Sequence, residues 1–164
     1  ITDTSRIDLA LPTIRMILEK GATKLVFMSH LGRPDGQNNP KYSLAPVAEY
    51  LAEKLGTDVI LTESAVDNGV KELLTLPETK VVLLENLRYN PGEEKNDLEF
   101  AEKLSQYGDV YVNDAFGAAH RKHASVYGIN TFFKNRAYAG LLLKKEIDSL
   151  STLLDKPVKP FVAV

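Results

Sequence analysis

The sequence predicts an α/β fold in which a parallel β-sheet carries helices on both faces, the three-layer arrangement of Rossmann-like proteins. Short apolar runs alternate along the chain with stretches whose apolar residues recur at helical spacing. Strands that are separated by helices form right-handed βαβ units, so we expect the strands to be parallel. The strongest apolar runs are followed by polar loops, and those loops should emerge together at one edge of the sheet.

The composition is typical of one globular domain. The chain has 164 residues, of which 44% are hydrophobic and 26% charged, and its net charge is −2 without any run of lysine or arginine. There are no cysteines, which excludes disulfides and thiolate chemistry. No apolar stretch reaches bilayer length, and the first five residues do not resemble a signal peptide. We therefore expect a cytoplasmic protein that binds neither nucleic acid nor a membrane.

The first predicted helix is the apolar stripe between Ile7 and Leu18. Asp3 or Thr4 can cap its start, and Gly21 should stop it. Pro12 lies within the stripe, where it should kink the helix or mark its first turn.

The other predicted helices and strands follow from the same two kinds of pattern. Further helices are expected from the cap Ser43 to Gly56, weakly over 68–74, over 98–106, and from about Arg136 to just before Pro157. Strands are expected at 24–28, 58–61, 80–84, 109–112 and 161–164.

The hexapeptide Ser29-His30-Leu31-Gly32-Arg33-Pro34 directly follows the first strand. The guanidinium of Arg33 can fork onto a carboxylate or phosphate, and His30 can donate a ring proton to the same anion. Taken by itself, the hexapeptide fits a solvated turn equally well.

Two later loops repeat this pattern of basic residues after a strand. Arg88 follows the strand at 80–84, and His120, Arg121 and His123 follow the strand at 109–112. All three histidines and three of the six arginines of the chain occupy these loops. Because the loops share one edge of a parallel sheet, the pattern predicts a pocket for a small, multiply charged carboxylate or phosphate anion.

Several other chemistries are disfavoured by the spacing of the residues. Neither Gly-x-x-x-x-Gly-Lys-Ser/Thr nor Gly-x-Gly-x-x-Gly occurs, so the chain has no P-loop and no dinucleotide fingerprint. His120 and His123 with Asp114 could suggest metal ligation, but Arg121 and Lys122 between them make a cation site unattractive. We therefore assign no metal and no cofactor to the chain.

Three further features have plain structural interpretations. Ser29 and His30 are adjacent on an extended segment and point to opposite faces, so they do not form a nucleophile and base pair. The segment 117–119 should permit a close loop approach, although a phosphate nest is compatible with it. Glu93 and Glu94 should form a solvated acidic turn.

Three segments of the chain closely resemble, in order and spacing, the signature segments of the phosphoglycerate kinase family. They are Ser29-His30-Leu31-Gly32-Arg33-Pro34, Leu84-Glu85-Asn86-Leu87-Arg88-Tyr89, and the eleven residues from Tyr111 to Arg121. The resemblance covers essentially the whole chain but less than half of the family's usual length, and it corresponds to a partial N-terminal, substrate-binding domain, residues 1–164.

The resemblance implies reversible phosphoryl transfer from 1,3-bisphosphoglycerate to ADP, which gives 3-phosphoglycerate and ATP in glycolysis. It implies that one basic patch holds 3-phosphoglycerate: His30, Leu31, Gly32, Arg33, Arg88 and Arg121. Arg6 resembles the family arginine that contacts the reacting carboxyl end and stabilises charge on the phosphoryl group in flight. An arginine at the reacting centre suits this chemistry, which needs positioning and charge neutralisation.

The sequence also departs from the family pattern. It begins after the family's first strand and ends before the nucleotide domain, so Mg²⁺ with ADP or ATP should bind outside this chain. We expect the chain to be a monomer that does not turn over by itself. The segment 134–141 differs from the family's small-residue stretch. Two alternatives stay open, a noncatalytic anion-binding module and a structural fragment whose exposed sheet edge takes a partner.

Overall fold

The computed structural model describes the backbone of residues 3–155 and the side chains of residues 3–152. Seven α-helices lie within this range: α1 Ser5–Glu19, α2 Ala45–Leu55, α3 Asn68–Thr75, α4 Leu98–Ser105, α5 Phe116–Ala119, α6 Asn130–Phe133 and α7 Leu141–Asp155. The strands are β1 Leu25–Phe27, β2 Val59–Leu61, β3 Val81–Leu83, β4 Tyr111–Asn113 and β5 Ala137–Ala139. The strand predicted at 161–164 lies outside the described residues.

All strand pairs in this part of the chain are parallel, as predicted. The strands β1, β3 and β2 form one sheet in that order, with Val26 opposite Val82 and Ile60 opposite Val82. The strands β4 and β5 form a second pair, with Val112 opposite Tyr138. The described strands are thus divided between two hydrogen-bonded groups.

Helices cover both faces of the three-stranded sheet because successive strand residues point to opposite sides. Leu25, Val81 and Leu83 pack with residues of α1 and α2. Val82 and Leu84 pack instead into the larger cluster that contains residues of α3 and α4. The predicted three-layer α/β arrangement is therefore confirmed.

The first helix begins near its predicted cap. Thr4 occupies the N-cap position, although the hydroxyl of Thr4 donates to the Asp8 carboxylate at 2.8 Å instead of capping a backbone amide. Pro12 lies inside α1 and not in its first turn. Gly21, with φ of +91°, follows the end of the helix.

The predicted cap of α2 is wrong by one residue. Leu44 holds the N-cap position, and the Ser43 hydroxyl donates to Glu85 Oε2 at 2.7 Å. The Ser43 hydroxyl oxygen still accepts from the amide of Ala45, the first helical residue, at 3.2 Å, and Glu85 accepts from the Leu44 amide at 2.8 Å, so Ser43 and a carboxylate from another loop both bind amides at the start of this helix. Gly56 ends α2 in the left-handed region, as predicted.

The predicted start of the last helix is also wrong. Residues 137–139 form β5 beside β4, and the helix begins only at Leu141. The Tyr111 amide donates to the Arg136 carbonyl, and the Gly140 amide donates to the Asn113 carbonyl. These bonds to a distant strand outweigh a local periodicity that runs back to Ala139.

Candidate functional site

The loops after β1 and β3 are joined directly to each other at the carboxyl edge of the sheet. The Leu87 amide donates to the Ser29 carbonyl at 3.1 Å, and Asn86 Nδ2 donates to the Leu31 carbonyl at 2.8 Å. The hexapeptide is therefore held against the buried segment 84–88.

Gly32 is required by the shape of the hexapeptide loop. Its φ is +64°, a conformation that side chains rarely adopt, and a Cβ at this position would collide with the ring of Tyr42. The carbonyl of Gly32 then accepts a 2.8 Å hydrogen bond from Nη1 of Arg88.

Arg88 is the most unusual side chain of this region because it is a buried arginine. It lies in a short 3₁₀ helix, Leu87–Tyr89, and only 5% of its side chain is exposed. Its Nε lies 3.3 Å from Glu94 Oε1, a distance that makes an ion pair, but the alignment does not make a hydrogen bond. Within the described residues Nη2 also has no hydrogen-bond partner. Buried arginine donors without partners are costly unless an anion can reach them.

Two histidines share the electrostatic field of Arg88. Partial burial and the charges of Arg88 and Arg121 lower the pKa of His30 from 6.5 to about 4. Burial and the Arg88 charge also lower the pKa of His123. Both imidazoles are therefore neutral hydrogen-bonding groups at neutral pH, and the arginines carry the positive charge.

The third loop approaches the site through His123 and Arg121. Arg121 is partly buried, and its charge helps to lower the pKa of both His30 and His123. His120 is exposed. The structure thus brings together residues from the three predicted loops.

Arg33 and Arg6 lie differently from the other basic residues. Both are exposed, and within residues 3–152 neither side chain makes a hydrogen bond or an ion pair. Arg6 lies in the first turn of α1. Leu31 is exposed at the surface of the hexapeptide loop.

The prediction of a solvated acidic turn is half wrong. Glu94 is exposed, but Glu93 is 1% exposed and accepts two hydrogen bonds from Ser125. Sequence reasoning missed Glu93 because two adjacent glutamates before a helix are usually solvent-exposed.

The segment 117–119 forms the helix α5 and not a tight loop. A Cβ at Gly117 would meet no neighbouring atom, so the predicted close approach is wrong. Within the described residues no group of three or more histidine or acidic side chains is placed to hold a metal ion. In the same range no helix has the length and apolar character needed to cross a membrane.

The fold and this edge define a class of protein, an α/β domain in which buried and half-buried basic side chains gather beyond the carboxyl ends of the strands. The family model for phosphoglycerate kinase matches residues 1–164. The chain belongs to the phosphoglycerate kinase family.

Curated relatives and solved structures agree with this assignment. The phosphoglycerate kinases of Chlorobium phaeovibrioides and Borreliella burgdorferi are 52% and 50% identical over the whole chain, and each match covers 41% of the relative. The structure of phosphoglycerate kinase from Coxiella burnetii has a TM-score of 0.79 and 38% identity, over 98% of this chain and 39% of that one. The enzyme from Pyrococcus horikoshii has a TM-score of 0.80 and 32% identity, over 95% and 39% of the two chains. The chain thus spans about two fifths of the length of these relatives.

Proposed function

We propose that this chain is the substrate-binding part of a phosphoglycerate kinase and that its basic edge, formed by His30, Arg33, Arg88 and Arg121, binds 3-phosphoglycerate. The observation that carries the proposal is the buried Arg88, whose Nη2 has no hydrogen-bond partner within the described residues. A phosphate or carboxylate oxygen is the natural acceptor for such a donor. His30 and Arg121 would add a neutral donor and a second charge.

The reaction would be phosphoryl transfer between 1,3-bisphosphoglycerate and ADP. Arg88, Arg121 and Arg33 would hold the phosphate end, with Leu31 and Gly32 shaping the loop beside it. Arg6 would neutralise charge that develops on the transferred phosphoryl group. No general base is required because the acceptor in the reverse direction is already a carboxylate. ADP or ATP with Mg²⁺ would bind outside this chain, and we expect a monomeric, cytoplasmic enzyme.

A titration of the isotope-labelled chain tests this function. We expect 3-phosphoglycerate to shift the backbone amides of the loops that contain Arg33, Arg88 and Arg121, and we expect ADP to shift none of them. An equal response to inorganic phosphate would favour a generic anion-binding module. No response to any of these ligands would favour a purely structural role.

A further inference from the structure

Glu93 is a buried carboxylate beside the basic edge, and the proposed reaction gives it no role. Burial raises the pKa of Glu93, which shows that this environment disfavours its charged form. A negative charge close to an anion site also opposes anion binding. The burial of this charge and its repulsion of an anion are both unfavourable, so the contacts that Glu93 makes must offset them.

Both hydrogen bonds of the Glu93 carboxylate go to one residue, Ser125. Glu93 Oε1 accepts from the Ser125 hydroxyl at 2.6 Å, and Oε2 accepts from the Ser125 amide at 3.0 Å. The backbone carbonyl of Glu93 accepts from the Ala124 amide at 2.9 Å. His123 Nδ1 lies 3.8 Å from Oε1. Glu93 therefore holds two consecutive residues that come just after Arg121 and His123.

The turn that carries Glu93 is itself fixed. The Glu93 amide donates to the Asn90 carbonyl at 3.1 Å, and the Gly92 amide donates to Asn90 Oδ1 at 2.8 Å. Asn96, at the end of the turn, accepts from the Gly128 amide at 2.9 Å. A continuous chain of hydrogen bonds thus runs from the loop of Arg88 to the segment after Arg121.

We propose that Glu93 is a positioning residue for the anion site, which holds the segment 123–125 so that Arg121 and His123 stand beside Arg88. The proposal rests on the function proposed above. A charge effect and a positioning effect have opposite signs. If Glu93 acted only through its charge, Glu93→Leu would tighten anion binding, whereas loss of the positioning contacts would weaken it.

The variants Glu93→Leu and Ser125→Ala test the proposal, with Glu102→Leu as the control. Glu102 is an exposed glutamate of α4, so this control makes the same change of charge away from the site. We expect 3-phosphoglycerate affinity to fall about fivefold in Ser125→Ala, the effect of losing one hydrogen bond, to fall further in Glu93→Leu, which loses both acceptors, and to stay unchanged in the control. Ser125→Ala is the milder change because the backbone amide of residue 125 still donates to Glu93 Oε2. Wild-type or tighter binding by both variants would overturn the proposal.

Two further measurements separate positioning from other effects. If Glu93 had a purely structural role, the test variants would have a lower melting temperature, but their folded chains would bind 3-phosphoglycerate with unchanged affinity. Backbone amide order parameters of residues 121–123 need no ligand, and we expect them to fall in Glu93→Leu but not in Glu102→Leu. If the wild-type chain fails to bind 3-phosphoglycerate, the proposed function fails, and these order parameters still decide the positioning role. Unchanged order at residues 121–123 would refute it.

Discussion

Arg88 donates a 2.8 Å hydrogen bond from Nη1 to the carbonyl of Gly32, across 56 positions of the chain. This bond uses one end of the guanidinium to fix the hexapeptide loop, and Nη2 at the other end has no hydrogen-bond partner within the described residues. We propose that Arg88 has two roles, one in the architecture of the edge, through this bond, and one in anion binding.

Arg88→Lys should separate these two roles. Lysine keeps the charge but lacks the planar fork, so it cannot bind the Gly32 carbonyl and a bidentate anion together. We expect 3-phosphoglycerate affinity to fall about 10- to 100-fold, measured by calorimetric titration. Arg15→Lys, at an exposed position of α1, is the control. Comparable affinities for the two variants would show that only the charge of Arg88 matters.

Gly32→Ala should be more destabilising than the same change at Gly56. The two glycines have nearly equal φ values, +64° and +63°, but only Gly32 faces the Tyr42 ring. Backbone strain should cost about 1 kcal/mol at Gly56, and overpacking should bring the cost to about 2–4 kcal/mol at Gly32. Urea unfolding of both variants gives the comparison. Equal losses would mean that the Tyr42 ring moves away freely.

His30 should make folding stability depend on pH. Its pKa is about 4 in the folded chain and 6.5 ordinarily, so between these values the unfolded chain binds more protons. This contribution to stability is therefore fully present above pH 6.5 and is lost as the pH falls towards 4. We expect the free energy of unfolding of His30→Asn to decline less over this window than that of the wild type. His120→Asn, at an exposed position, should follow the wild-type curve.

Thr13→Val should weaken the attachment of α7. The Thr13 hydroxyl donates to Asp114 Oδ2 at 2.5 Å and accepts from the Leu141 amide at 2.9 Å, while Asp114 Oδ1 accepts from the Leu143 amide. Valine has nearly the same shape but leaves Asp114 Oδ2 and the Leu141 amide without their Thr13 partner, at a cost of about 2 kcal/mol. Thermal unfolding measures the loss. Thr13→Ser should keep most of the stability, and exposed Thr131→Val should change it little.

Arg6→Ala tests the catalytic role proposed for the first helix. In the intact enzyme of which we propose this chain to be a part, turnover should fall by about 100-fold or more, because charge on the transferred group is no longer neutralised. The affinity for 3-phosphoglycerate should change far less. Steady-state kinetics separate the two quantities, with exposed Arg15→Ala as the control. An unchanged turnover number would remove Arg6 from the catalytic role.

The local pattern of the sequence determined the parallel α/β fold, most element positions and the loops that carry the basic residues. Apolar periodicity reports which face of an element is buried, and glycines and prolines report where it ends. For this reason the apolar stripes of α1 and α4 were sufficient to predict these helices, and the apolar run at β3 was sufficient to predict that strand. The hexapeptide and the Arg88 segment likewise lie at the carboxyl edge of the sheet, where the loops that follow parallel strands emerge.

Only the tertiary structure decided the features that depend on partners far apart in the chain. The strand β5 exists because β4 supplies its hydrogen bonds, Glu85 accepts from the N-cap amide of α2, and the buried carboxylate of Glu93 accepts its hydrogen bonds from Ser125. The same residue types at the same spacing are solvent-exposed when no such partner is present. Periodicity cannot report these contacts, because each depends on where the fold places a second segment of the chain.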